Sequence, residues 1–260
     1  MKRFLCLFLL CCVAIGMIAC GNNDNTTTTT TTTEPTTSTT VKPGPDVEDT
    51  TTKGEGVMTW NEYMDAELES EVVIEAYVQA KQAWWFDDTV SHGKGTFYLQ
   101  DGIGGYFLYE LNCTEEEYNA LTVGTKVRVT GYKAEWSGEI EIIDATIEIL
   151  EGNYVAEPAY VTDLLGTDEL INYQNMLVKF ENLTVVAIEY KGGSRGNDIY
   201  VTLSLNGTEY SFCVESYLTN AETEVYMAVE ALKAGDVVDV VGFAYWYNGI
   251  NTHITSITVK

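Results

Sequence analysis

Basic residues are scarce in this sequence. Its 260 residues include 14 Lys and Arg against 39 Asp and Glu, so the formal net charge is −25 at pH 7. A chain this acidic repels phosphate backbones and anionic lipid surfaces. The composition therefore disfavours nonspecific contact with nucleic acid.

The sequence also has little histidine and none of the common catalytic motifs. His92 and His253 are the only histidines, and no HExxH, CxxC, GxSxG or GxxxxGK[ST] pattern is present. Asp87, Asp88 and Asp101 lack the alternating ligands of a calcium loop. We predict no catalytic residue, no metal site and no cofactor.

Cysteine is rare outside the first twenty residues, which hold four of the six. Only Cys113 and Cys213 remain, so the chain is not a disulfide scaffold. Two free and at least partly buried thiols are the favoured interpretation, and a disulfide between them is the alternative.

The first twenty residues have the pattern of a secretion signal. Lys2 and Arg3 precede an almost unbroken apolar run, residues 4–18, that is short for a membrane span. The run ends in MIAC at Cys20, which resembles a bacterial lipobox. That resemblance implies a diacylglyceryl-modified Cys20 and anchoring to the cell membrane on its extracellular face, because two acyl chains hold firmly. An ordinary secretory signal is the alternative.

A Thr-rich segment, residues 21–57, follows the signal. Thr, Pro, Gly and acids dominate it, so it cannot bury enough apolar surface to offset the entropy of ordering. We predict a disordered linker here.

Two copies of one pattern occupy the rest of the chain. GTKVRVTGYKAEWSG (124–138) aligns without gaps on GDVVDVVGFAYWYNG (235–249). An amphipathic stretch, 114–121 or 221–232, precedes each copy and predicts a helix.

The other segments in each half of the folded region are predicted to be strands. Residues 72–80 alternate apolar and polar side chains, and Asn206-Gly207 separates two alternating runs as a hairpin turn does. In the last strand of the first half, the positions of the apolar side chains shift by one residue between Ile142 and Ile143, which predicts a β-bulge.

The order strand, strand, strand, helix, strand, strand is that of the OB-fold. We therefore predict an all-β chain with short helices, built from two tandem five-stranded OB-fold-like barrels at residues 58–152 and 153–260. A pair of small β-sandwiches is the main alternative.

Three stretches carry a family resemblance: EAYVQAKQAWW, YLQDGIGGYFLYE and GTKVRVTGYKAEWSGEIEIIDAT. They resemble a family of OB-fold-like surface lipoproteins of Gram-positive Firmicutes, related to OB modules found beside secreted bacterial nucleases. The resemblance implies the fold and a surface location, and it brings no catalytic residue with it.

An OB-fold binds ligands on strands two and three, flanked by loops one–two and four–five. The candidate ligand residues of the first domain are Trp84, Trp85 and Phe86 in loop one–two, Trp136 in loop four–five, and Tyr77 and Tyr98 on the exposed side of the barrel. Those of the second domain are Lys191 and Arg195 in loop one–two, and Tyr245, Trp246 and Tyr247 in loop four–five. The alternative interpretation is structural: Trp84 or Trp85 closes a barrel end and Trp136 packs on it.

Exposed rings stack on sugars and nucleobases and form hot spots for proteins. Sites for single-stranded nucleic acid also need a positive groove, which this composition does not supply. We predict a lipid-anchored, non-catalytic extracellular binding module for a glycan or a protein partner. A single-stranded nucleic-acid-binding lipoprotein and a hydrolase using paired acids are the alternatives.

Overall fold

The computed structural model describes residues 53–260. The signal, Cys20 and the linker up to residue 52 lie outside the described residues. Lys53, within the predicted linker, donates from Nζ to the Asp101 carboxylate (2.8 Å) and to the Glu75 carbonyl (3.1 Å), so contacts with the first barrel begin ahead of Met58. Within residues 53–260, no helix has both the length and the apolar character of a membrane span.

The first sheet closes into a barrel. Helix α1 (Trp60–Asp65) leads into strands β1 (Glu71–Lys81), β2 (Trp85–Asp87), β3 (His92–Gln100), β4 (Gly105–Asn112), then helix α2 (Glu115–Ala120), β5 (Thr125–Trp136) and β6 (Glu139–Asn153). Strand β1 pairs with both β3 and β5, β3 pairs with β4, β4 runs parallel to β6, and β6 pairs with β5. This ring of five long strands, with a helix between the third and fourth, is an OB-fold barrel.

The second sheet repeats this topology. It contains β7 (Ala159–Tyr160), two 3-10 helices (Thr162–Leu164 and Asp168–Tyr173), β8 (Leu177–Tyr190), a 3-10 turn (Lys191–Gly193), β9 (Ile199–Leu205), β10 (Thr208–Val214), α3 (Glu224–Glu230), β11 (Val237–Phe243) and β12 (Asn251–Val259). Strand β8 pairs with β9 and β11, and β10 runs parallel to β12. The predicted all-β class with two tandem OB-fold-like barrels is confirmed, and each sheet gains one short sixth strand, β2 or β7, that the sequence did not predict.

Local sequence explains where the helices begin. Thr59 caps α1 and Thr114 caps α2, each through a reciprocal capping box with a glutamate three residues later. Thr223 caps α3 by accepting from the Tyr226 backbone N–H.

Alternation fills each barrel as predicted. In β1 the side chains of Val72, Ile74, Ala76 and Val78 are fully buried in the first core. A buried Val or Ile contributes roughly 1.5–3 kcal/mol relative to an exposed one. The period of two in this segment thus fixes which side of β1 faces the core.

The predicted β-bulge in β6 is present, two residues further on. Tyr132 pairs with Ile143 while Thr130 pairs with Thr146, so β6 carries one extra residue. Asp144 takes the left-handed backbone, with φ of 48°. The bulge places Ala145 rather than Ile143 in the core, because the parity changes at Asp144.

The hairpin between β9 and β10 and the cysteines also follow the sequence predictions. Asn206 and Gly207 both have positive φ, 53° and 84°, as a two-residue hairpin turn requires. Cys113 and Cys213 are buried free thiols.

Candidate ligand-binding groove

An aromatic cluster joins the two barrels. Its members are Tyr98 and Phe107 from the first barrel and Phe243, Tyr245 and His253 from the second, and we call it the junction cluster. The Tyr98 ring stacks on Phe243 with centroids 4.4 Å apart, and Tyr245 stacks on His253 at 4.1 Å. The cluster covers part of the outward face of β3 and β4, where an OB-fold binds ligands.

One hydrogen bond fixes the histidine of this cluster. The Tyr98 hydroxyl accepts from Gln82 Nε2 (3.3 Å) and donates to His253 Nδ1, which lies 2.5 Å away. Burial lowers the pKa of His253 to about 3. The imidazole is therefore neutral at pH 7. We assign Nδ1 as the acceptor because the Tyr98 hydroxyl already accepts from Gln82 and has its own proton to donate.

Polar contacts join the two four–five loops. The Trp246 backbone N–H donates to the Glu139 carboxylate (2.8 Å), and the Asn248 N–H donates to the Ser137 carbonyl (2.7 Å). Burial raises the pKa of Glu139 well above its ordinary value. These bonds align the turn at the end of β5 with the loop between β11 and β12.

Gly105 lets the barrels approach closely. A Cβ on this residue would lie 2.3 Å from the backbone carbonyl carbon of Asn175 in the second barrel. Any larger residue here must separate the two backbones.

An open groove of about 720 Å³ lies beside the junction cluster, with walls from both barrels. The aromatic residues on its walls are Trp85, Tyr109 and Trp136 from the first barrel and Tyr200, Tyr217, Tyr245 and Tyr247 from the second. Several of these rings face solvent: Trp136 is 47% exposed, Tyr247 55% and Tyr217 61%. The groove thus offers ring surface that the fold itself does not bury.

Local pairing positions the rings of the first barrel. Strand β2 pairs with β3 so that Trp85 lies opposite Lys94, and the Ala83 N–H donates to the Tyr217 carbonyl (2.7 Å) in the second barrel. Trp136 ends β5, immediately before a turn in which Ser137 has positive φ (55°). Loops one–two and four–five therefore meet the second barrel at the same groove.

The one lysine or arginine among the described residues of the groove wall is already paired. Lys191 Nζ lies 2.7 Å from the Asp198 carboxylate. Asp198 also accepts from the Ser216 backbone N–H (3.0 Å) and hydroxyl (2.7 Å). The pKa of Asp198 is lowered because the Lys191 and Ser216 bonds outweigh desolvation.

Two further carboxylates on the groove wall have no such partner. Glu215 accepts from the Leu218 N–H (2.8 Å), and Glu110 comes from the opposite barrel. Within residues 53–260 neither forms an ion pair. Burial, and secondarily the charge of Asp198, raises the pKa of Glu215 to about 7.

The groove unites five of the predicted ligand residues: Trp85, Trp136, Lys191, Tyr245 and Tyr247. The other six lie outside it: Trp84, Phe86, Tyr77, Trp246, Tyr98 and Arg195. Trp84 packs on the first core and donates from Nε1 to the Cys113 carbonyl (3.1 Å), so the structural interpretation is the correct one for this ring.

Three more of the candidates outside the groove lie in separate places. Phe86 is 52% exposed beyond the groove wall, and Trp246 packs against the second core. Tyr77 contacts the edge of the Tyr154 ring, with centroids 5.4 Å apart.

One expectation is wrong. Tyr98 does point out of the first barrel, but it is fully buried, because the second barrel covers that face.

Lys191 and Arg195, the basic candidates of the second domain, both have acidic partners. Asp198 pairs with Lys191, and Glu230 binds Arg195 at 2.8 and 2.9 Å.

Sequence reasoning missed Tyr109, Tyr200 and Tyr217. Alternation in GYFLYEL and IYVTLSL places Tyr109 and Tyr200 on the outward side of their strands, so that signal was present. Tyr217 lies in an irregular segment after β10, where no periodicity identifies it.

Two of the three acidic residues considered for calcium, Asp87 and Asp101, have structural partners. Asp87 accepts from the Thr89 N–H and hydroxyl, and Asp101 accepts from Lys53, Tyr106 and two backbone N–H groups. Across the described part of the chain, no three His, Cys, Asp or Glu side chains are grouped to hold a metal ion.

Among known proteins, this chain resembles solved structures only. No family model and no curated protein matches this chain. Among solved structures, the tetrameric p202 HIN2 is 11% identical, with 75% of this chain and 96% of that chain covered and a TM-score of 0.34. A murine DNA-binding protein bound to double-stranded DNA is 9% identical, with 72% and 94% covered and a TM-score of 0.36.

A replication protein A heterotrimer bound to single-stranded DNA is 11% identical, with 71% of this chain and 50% of that chain covered and a TM-score of 0.30. Since all three TM-scores are below 0.5, these likenesses carry no argument about what this chain binds.

Proposed function

We propose that this protein is a non-catalytic binding module that holds a glycan in the groove between its two barrels. The observation that carries the proposal is the convergence of aromatic side chains from both barrels on one open groove of about 720 Å³. Flat rings stack on the apolar faces of sugars, and OB-folds bind oligosaccharides through this region. Carboxylates such as Glu110 and Glu215 accept hydrogen bonds from sugar hydroxyls.

The shape of the groove favours a glycan over a folded protein partner. Stable protein interfaces bury about 800 Å² on each side over a broad surface. A concave groove with rings along its walls instead fits a ligand narrow enough to enter it, as small-molecule sites do.

Charge favours a glycan over single-stranded nucleic acid, which is the competing ligand class. Rings stack on bases at roughly 1–3 kcal/mol each, but such sites also hold the phosphates with free cations. Lys191, the lysine of this groove, is neutralised by Asp198, and Glu110 adds negative charge.

Titration of the purified chain with a panel of oligosaccharides, followed by tryptophan fluorescence and calorimetry, tests the proposal. Trp136→Ala should weaken binding at least tenfold, while Phe86→Ala, an exposed ring outside the groove, should leave it unchanged. A single-stranded oligonucleotide is the competing arm. Binding of that oligonucleotide at low salt, with release as salt rises and no glycan bound, would replace the glycan with nucleic acid.

A hydrolase is the second candidate, and Glu215 is the observation that favours it. A carboxyl group with a pKa near 7 in a groove suits a general acid. Asp198, the other wall carboxylate of the second barrel, is bound by Lys191 and Ser216 and is poorly suited to act as nucleophile or base. Product analysis of each bound oligosaccharide distinguishes the two, because a binding module releases its ligand uncut.

The protein is attached to the extracellular face of the cell membrane through diacylglyceryl Cys20, as in the Firmicutes surface lipoproteins that its sequence resembles. The lipobox-like MIAC sequence supports this part of the proposal. Mass spectrometry of the N-terminal peptide should find the lipid, and Cys20→Ser should move the protein from the membrane fraction. An unmodified Cys20 in the mature protein would overturn it.

A further inference from the structure

The charged side chains of the groove indicate which class of glycan it binds. We propose that the bound glycan carries free amino groups, so that the groove is a site for a cationic, hexosamine-type oligosaccharide. This inference rests on the proposed glycan function and names its substrate class.

The first step is the balance of charge on the groove wall. The lysine there is paired with one acid, Asp198, and within residues 53–260 neither Glu110 nor Glu215 forms an ion pair. Glu110 belongs to the first barrel and Glu215 to the second, so the two carboxylates approach the groove from different walls. A ligand ammonium group supplies an ion-pair partner for these carboxylates.

The second step is the position of Glu215. Its side chain is partly buried, and its carboxylate accepts from the Leu218 backbone N–H rather than from a cation. Burial raises the pKa of Glu215 to about 7 and so favours its protonated form, and a bound ammonium group lowers that pKa again because it stabilises the carboxylate.

The third step is the ring surface around these acids. Trp85, Trp136, Tyr217 and Tyr247 line the same groove, and the faces of Trp and Tyr rings attract cations within about 6 Å. A protonated amino sugar uses both features, because its ring stacks on an aromatic face while its ammonium group meets a carboxylate or a neighbouring ring.

The overall charge acts in the same direction. At −25 the chain attracts a polycation over long range and repels anionic glycans. The groove and the net charge of the protein therefore both favour a positively charged ligand.

The experiment compares two oligosaccharides with the same backbone: the glucosamine hexamer, which is cationic at pH 6, and the N-acetylglucosamine hexamer, which is neutral. Calorimetry on the purified chain should show the glucosamine hexamer binding at least tenfold more tightly, with the advantage shrinking as salt rises. Glu215→Gln should reduce that preference to threefold or less. Glu169→Gln, which removes an exposed acid outside the groove, is the matched control for net charge and should keep the preference.

The outcomes separate the inference from the function on which it rests. Equal binding of the two hexamers overturns the cationic ligand and leaves the glycan function standing. Failure of every oligosaccharide to bind overturns both. A lysine hexapeptide that binds as tightly as the glucosamine hexamer overturns the proposal of a sugar ligand, because the groove would then recognise positive charge alone.

A folding control keeps the test decisive. Glu215→Gln should melt within a few degrees of the parent chain. If it does not fold, Glu110→Gln on the opposite wall provides the same readout, and an unchanged preference in that variant counts against the proposal.

Discussion

The Tyr98 hydroxyl and Nδ1 of His253 lie 2.5 Å apart across the junction of the two barrels, although 155 residues separate them in the chain. Both side chains are buried there. This bond ties the outward face of β3 to β12, and the groove opens beside it.

Removing that hydroxyl should destabilise the protein. Tyr98→Phe leaves the buried Nδ1 of His253 without its donor, which costs about 1–3 kcal/mol in the free energy of unfolding. Urea denaturation measures the change. Tyr132→Phe is the matched control, because Tyr132 is 43% exposed, and it should change stability by less than about 0.5 kcal/mol. Equal stability of Tyr98→Phe and the parent chain would show that the bond contributes nothing.

Low pH should lower the free energy of unfolding through protonation of His253. The pKa of this histidine is about 3 in the folded protein and near 6.5 when unfolded, so between these values the unfolded chain binds the extra proton. Stability is therefore lost as pH falls below 6.5. Relative to His253→Phe, the parent chain should lose about 1 kcal/mol between pH 6 and pH 5.

Comparison with the variant is needed because Glu139 and Glu215 titrate in the opposite sense. Burial raises the pKa of both, so each contributes stability at low pH that is lost as pH rises through its folded value. Both acids are retained in His253→Phe and cancel in the difference. Parallel pH–stability curves for the two proteins would contradict the prediction.

A methyl group at Gly105 should separate the barrels. Gly105→Ala forces a Cβ against the Asn175 backbone, and such overpacking costs about 1–3 kcal/mol. Small-angle scattering should report a larger radius of gyration, and glycan binding should be lost because the groove walls move apart.

Gly56→Ala is the control for a glycine substitution without a clash. Gly56 has φ of 76° and nothing near its Cβ position, so alanine there costs backbone strain of about 1–2 kcal/mol. It should leave both the radius of gyration and glycan binding unchanged. A Gly105→Ala protein with the parent radius and affinity would show that the barrels do not depend on this contact.

The adjacent tryptophans should respond in different assays. Trp84 packs on the first core and donates to the Cys113 carbonyl, so Trp84→Ala should lower the free energy of unfolding by about 3 kcal/mol. Trp85 is 38% exposed on the groove wall, so Trp85→Ala should weaken glycan binding about tenfold with little loss of stability. Thermal melts and calorimetry on both variants check this, and an exchange of the two effects would reverse their assigned roles.

Local sequence patterns were sufficient to predict much of the fold. Alternation in β1 determined which of its side chains enter the core, and the spacing of Thr114 and Glu117 determined the start of α2. The two aligned glycine-bearing segments predicted that one topology is used twice. These features depend on neighbours within a few residues, and such neighbours are visible in the chain itself.

The sequence by itself thus determined two OB-fold barrels with an acidic surface and ring-bearing loops. Only the tertiary structure decided how those loops are used, because it placed one barrel against the ligand face of the other. That packing buried Tyr98 and gathered Trp85, Trp136 and Tyr247 around one groove. Such contacts join residues far apart in the chain, so local periodicity cannot show them.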